Sequence, residues 1–181
     1  MKARTLVLVL AACAAAVPVL AEAPSGPYAG QQVRSIKGLS DGDITALLNG
    51  EGMGMAKAAE LNGYPGPVHV LALAKQLDLS ESQLQLVTAI YERMSAAAKP
   101  LGAELIDRER ALDQLFAKGE IIPEHLAAET TAIGELQGRL RSVHLAAHLE
   151  TRALLSPDQI ARYRQLRGYD DRTAPTHHHQ G

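Results

Sequence analysis

The chain has 181 residues, of which 18 are basic and 20 acidic, so its formal charge near neutral pH is −2. A slightly acidic chain lacks the net basic face that phosphate neutralisation needs, which argues against nucleic acid as a partner. Aromatic side chains make up 3 % of the sequence, with no tryptophan and one phenylalanine, and a core drawn from Leu, Ala, Ile and Val suits closely packed helices better than a sheet.

The first residues read as a secretory signal peptide over 1–21. Lys2 and Arg4 give the basic start, an apolar stretch covers 6–20, and small Ala21 and Ala23 follow. The stretch is about 15 residues, short of the roughly 20 that a membrane-spanning helix requires, and Glu22 and Pro24 follow it. Cleavage after Ala21, export to the periplasm and a mature chain without a transmembrane segment are expected. Removing Lys2 and Arg4 leaves 16 basic against 20 acidic residues, about −4. The one cysteine, Cys13, lies inside the signal, so a mature protein would have no thiol. Leu10-Ala11-Ala12-Cys13 also fits a lipoprotein cleavage box, and the alternative is therefore a chain anchored through acylated Cys13.

Residues 22–67 are rich in Gly, Pro, Ser and small side chains. They read as a largely extended or disordered arm, with a short helix over 43–48 and one or two helical turns over 56–61. The next stretch is periodic. Leu84, Val87, Tyr91, Met94, Ala98, Leu101, Leu105, Leu112 and Leu115 alternate in steps of three and four, interrupted only at Arg108. A second series contains Leu126, Ile133, Leu136, Leu140, Val143, Ala147 and Leu154, with Glu129 and Glu150 in the intervening seam positions. Two long heptad-type helices follow, and the short link at Lys118-Gly119-Glu120 makes them an antiparallel hairpin. Pro100 should bend the first, whereas Pro123 fits the opening turn of the second.

Leu79-Ser80-Glu81-Ser82-Gln83 and Leu155-Ser156-Pro157-Asp158-Gln159 frame the hairpin as two capping boxes. Four main helices are therefore predicted, at about 68–77, 80–118, 123–154 and 156–168. The domain expected is all-α over 68–169, a bent antiparallel hairpin with short flanking helices, followed by a loose His-containing tail over 170–181.

A repeated Leu-Ser-x-x-Gln phrase bracketing a bent hairpin in an exported chain resembles the Spy/CpxP envelope-stress family, whose phrase carries Thr where this chain has Ser. It is similar also to the ZraP-like zinc-resistance proteins and the periplasmic heavy-metal sensors. The resemblance covers roughly 68–168. It implies a homodimer of curved hairpins acting as an ATP-independent chaperone for unfolded clients, a metal-binding stress protein or a metal sensor. The absence of catalytic motifs separately leads to no enzymatic activity being expected. A structural or inhibitory partner of an envelope stress-signalling protein is the alternative.

His144 and His148, four apart on one helix, can chelate zinc, copper, nickel or cobalt. In an antiparallel hairpin Glu92 and Met94 should lie level with them, and His69 is carried by the first short helix. Met53 and Met55 are soft thioether donors in the arm, and His177, His178 and His179 form a second cluster in the tail. Each has a plainer reading: the His pair as polar residues on a solvated face, the methionines as apolar residues docking on the hairpin, His69 as a first-turn residue. The chain has no mature cysteine nucleophile, no Gly-x-Ser-x-Gly elbow, no phosphate-cradling glycine loop and no His-Glu-x-x-His motif.

Overall fold

A computed structural model describes residues 26–170 of the protein. The expected signal segment with Cys13, and the tail with His177, His178 and His179, lie outside the described residues. Among the described residues, a 3-10 turn at Gln31–Val33 is followed by six helices: α1 (Asp41–Asn49), α2 (Lys57–Leu61), α3 (Pro67–Ala72), α4 (Glu81–Lys118), α5 (Pro123–Leu154) and α6 (Pro157–Leu166). Apart from an isolated bridge between Ile36 and Leu39, no β-pairing occurs among the described residues, so the fold is all-α.

The capping residues set the helix boundaries. Ser80 accepts a hydrogen bond from the Gln83 amide and the Gln83 side chain accepts from the Ser80 amide; Ser156 and Gln159 repeat the arrangement at the start of α6. α4 stops at Gly119, whose φ of 69° supplies the left-handed conformation that closes the helix. Pro123 opens α5 in its first turn. Pro100 sits on the exposed side of α4, which runs on through it.

The two capping glutamines also meet each other. Gln83 Nε2 donates to Gln159 Oε1 at 2.8 Å and Gln159 Nε2 donates back to Gln83 Oε1 at 3.1 Å, while Gln83 Nε2 also reaches the Leu154 carbonyl at 2.8 Å. The repeated phrase thus ties the beginning of α4 to the end of α5. Further along the hairpin, Arg93 pairs with Glu150 and Arg108 with Glu129 at 3.7 Å. Partner numbers fall on α5 as they rise on α4, so the helices run antiparallel.

The segment before α3 is folded, contrary to the largely extended or disordered arm expected from its composition. Ser40 and Asp43 form a third capping box, and Gly50, with φ of 70°, ends α1. Ile36 and Leu47 are buried in one cluster with Ala98, Leu101, Leu105, Ile106, Ile133, Leu136 and Leu140. α1 approaches α4 closely enough that a Cβ on Gly102 would fall 2.3 Å from the Leu47 carbonyl oxygen, so only glycine fits there. Ile106 lies outside the heptad seam but is 4 % exposed, because the arm covers a second side of α4. A second cluster, around Val70, Leu77, Val87, Leu155 and Tyr163, fastens α3 and α6 to the open end of the hairpin.

Candidate functional site

The loop between α1 and α2, α2 itself, the start of α3 and the facing sides of α4 and α5 line a half-open cavity of about 550 Å³. His144 and His148 of α5, Met94 of α4, Met53 of the loop and His69 of α3 all line it. Five of the expected ligands therefore share one cavity.

His144 is 3 % exposed, and its Nε2 is buried without a hydrogen-bond partner. Gly52 of the loop packs beside its Nδ1, where a Cβ would lie at 3.6 Å. Burial first, and then the neighbouring His148, push the pKa of His144 below the usual histidine value, which favours the neutral ring. The histidine pair is thus not on a solvated face, because the folded arm covers that side of α5.

His148 is held from outside the cavity. Its Nδ1 lies 2.7 Å from the Tyr64 carbonyl oxygen, which can only accept, so this nitrogen is the donor and, in the neutral ring, Nε2 is the one left with a lone pair. Gly66 makes room for the ring: a Cβ there would stand 2.8 Å from Cε1 and Nε2. The Tyr64 loop is fixed in turn by Arg152 of α5, which donates to the Gly63 carbonyl and stacks its guanidinium 4.6 Å from the Tyr64 ring centroid.

His69 is half-buried, and burial, then the nearby Arg167, lowers its pKa despite the opposing pull of Glu60. Met94 is 7 % exposed, whereas Met53 is 43 % exposed and adopts a positive φ of 43°. Two expected ligands lie elsewhere. Glu92 is exposed and does not line the cavity, to which that part of α4 contributes Tyr91 and Met94. Met55 is half-buried against the Leu47–Leu105 cluster and packs as an apolar residue.

Glu60 was missed. It is a single acid in a short turn of small residues, without any spacing partner that would mark it. In the fold it is 9 % exposed and lines the cavity wall. Its Oε2 accepts from the Gly66 amide at 3.1 Å and lies 3.7 Å from His148 Nδ1; its Oε1 accepts from the Tyr163 and Tyr169 hydroxyls.

Neutral imidazoles and thioethers are ligands for borderline and soft transition metals. Among the described residues, no three or more His, Cys, Asp or Glu side chains gather closely enough to hold a metal by themselves. A metal here would combine the His144 and His148 rings with thioether sulfur. Compared with family models, curated proteins and solved structures, the chain matches none. No helix among the described residues is long and apolar enough to cross a membrane.

Proposed function

We propose that the protein is a periplasmic, metal-responsive stress protein of the heavy-metal resistance or sensor type, which takes a transition metal ion into the cavity between arm and hairpin. The observation that carries this reading is the His144–His148 pair. One ring has a buried nitrogen with no partner, and the other is turned by Tyr64 so that its free nitrogen is the one opposite the carbonyl. A buried polar atom without a partner costs about 1–3 kcal/mol, a penalty that a bound cation would relieve. A histidine whose second nitrogen donates to a carbonyl is the usual arrangement of a metal ligand.

His144 and His148 would hold the ion, with Met53 and Met94 as thioether donors and His69 at the cavity wall. A bound ion would add positive charge where the loop carrying Met53 already packs against α4 and α5. Zinc, copper, nickel and cobalt all suit imidazole, and the thioethers favour copper(I). The reading of 1–21 as an export signal and the resemblance to the Spy/CpxP family support a periplasmic role, and a homodimer is part of the same proposal.

Calorimetric titration of the wild type and of His144→Ala/His148→Ala with these four ions tests it. Binding by the wild type that disappears in the double variant is expected. Unchanged affinity and stoichiometry would exclude the pair as the site.

An ATP-independent chaperone role is favoured by a different surface. A shallow groove on the hairpin, lined by Ala97, Pro100, Leu101 and Glu104 of α4 and Arg139, Ser142, Val143 and Ala146 of α5, receives no side chain from the arm and is apolar at its centre with charged groups beside it. Leu86, Phe116 and Leu149 are also exposed along these helices, an apolar supply for contact with unfolded chains. Suppression of client aggregation without nucleotide would support this role, and no effect at stoichiometric excess would remove it.

A further inference from the structure

The geometry points to Glu60 as a positioning residue that couples metal occupancy of the cavity to docking of the C-terminal helix α6. This rests on the metal reading of the His144–His148 cavity.

Glu60 has two sides. Its Oε2 faces the cavity wall, accepting from the Gly66 amide at 3.1 Å and standing 3.7 Å from the Nδ1 of His148. Its Oε1 faces away, toward α6 and the residues after it, where it accepts from Tyr163 and, at 3.0 Å, from Tyr169, with Arg167 Nε 3.6 Å away. Tyr163 is 1 % exposed and does not line the cavity. A buried carboxylate is stable only while its oxygens are partnered, so the Tyr163 and Tyr169 hydroxyls and the His148 side depend on one carboxylate position.

A cation bound at His148 Nε2 would make the ring more positive and strengthen its Nδ1–H interaction with the Tyr64 carbonyl and with Glu60. That would hold Glu60 more firmly in the position in which it accepts from Tyr163 and Tyr169. Coupling of binding equilibria is reciprocal. Loosening the Glu60–Tyr163 contact must therefore weaken metal binding, although Tyr163 does not line the cavity.

The test uses the full chain and whichever of zinc, copper, nickel and cobalt the wild type binds most tightly. Two readouts are taken: amide hydrogen exchange of α6 in the wild type with and without the ion, and the affinity of Tyr163→Phe for it. Slower exchange in α6 on metal addition, together with affinity at least about 5-fold weaker in Tyr163→Phe, is expected. A role confined to structure would leave wild-type α6 exchange indifferent to metal. That indifference, or equal affinity in the variant, overturns the coupling while the metal reading stands. The exchange readout needs no variant, so it decides the matter even if Tyr163→Phe does not fold. A wild-type chain that takes up none of the four ions overturns both.

Discussion

His148 Nδ1 and the Tyr64 carbonyl oxygen lie 2.7 Å apart, although 84 residues separate them in the chain. This contact joins the two parts of the molecule that the sequence presents as unrelated, a glycine- and proline-rich arm and a heptad helix. It also determines which imidazole nitrogen is left free. Substituting Gly66, which stands against the same ring, should disturb that orientation. A Cβ there would meet the ring at 2.8 Å, so Gly66→Ala is expected to weaken metal binding about 10-fold, the lower range for displaced outer-shell support. Calorimetric titration checks it.

His144 should show opposite effects on stability and binding. Its buried Nε2 has no partner, and an apolar side chain of similar size would remove that desolvation penalty. His144→Leu is expected to abolish metal binding while leaving the metal-free protein as stable as the wild type, or about 1 kcal/mol more stable. Thermal unfolding in chelator, compared with metal titration, separates the two quantities. A metal-free protein destabilised by several kcal/mol would mean that the imidazole serves packing.

The pH dependence of stability follows from the lowered pKa values of His144 and His69. Both groups bind protons more readily unfolded, where histidine titrates near about 6.5, than folded. The unfolded state then holds more protons below that pH, so stability is full above it and falls as the solution is acidified toward the folded values. For His144 the slope is at most about 1.4 kcal/mol per pH unit. Denaturant unfolding between pH 7.5 and about 5 should show the decline, with a smaller slope in His144→Leu.

The close approach of α1 to α4 at Gly102 predicts a stability effect remote from the cavity. A methyl there would meet the Leu47 carbonyl oxygen at 2.3 Å, against backbone that has little room to move. Gly102→Ala should destabilise the protein by about 1–3 kcal/mol despite alanine's better helix propensity. Protease sensitivity should rise first in the segment around α1.

Gln83 and Gln159 each cap a helix and bond to the other. Removing either side chain leaves its partner's amide short of a bond. A double-mutant cycle with Gln83→Ala and Gln159→Ala should return a coupling of about 1 kcal/mol in unfolding free energy. A coupling near zero would reduce the glutamines to two independent caps.

Much of the hairpin was legible in the sequence because its signals are local and repeated. The heptad steps from Leu84 to Leu115, the two Ser-x-x-Gln caps and Gly119 locate α4, α5 and α6 within a few residues of where they stand. The folded state of the arm was less legible. α1 and α2 show in the sequence only as a short helix over 43–48 and turns over 56–61, and what holds α1 is the burial of Leu47 in one cluster with Ala98, Leu101 and Leu105 beside a bare Gly102, long-range packing that leaves no pattern in either segment. The candidate ligands were readable by type, but their shared cavity was not. His69, Met53, Met94 and the His144–His148 pair converge only because the arm folds over α5, and Glu60 becomes visible only through the hydroxyls that reach it from Tyr163 of α6 and from Tyr169 beyond it.

The central claim is that His144 and His148 take a metal ion into this cavity, and X-ray absorption spectroscopy of the metal-loaded full chain tests it most directly. A coordination shell containing two imidazoles and a sulfur scatterer, with the imidazole signal lost in His144→Ala/His148→Ala, is the expected result. A shell of oxygens alone, or an imidazole signal that persists in the double variant, would contradict it.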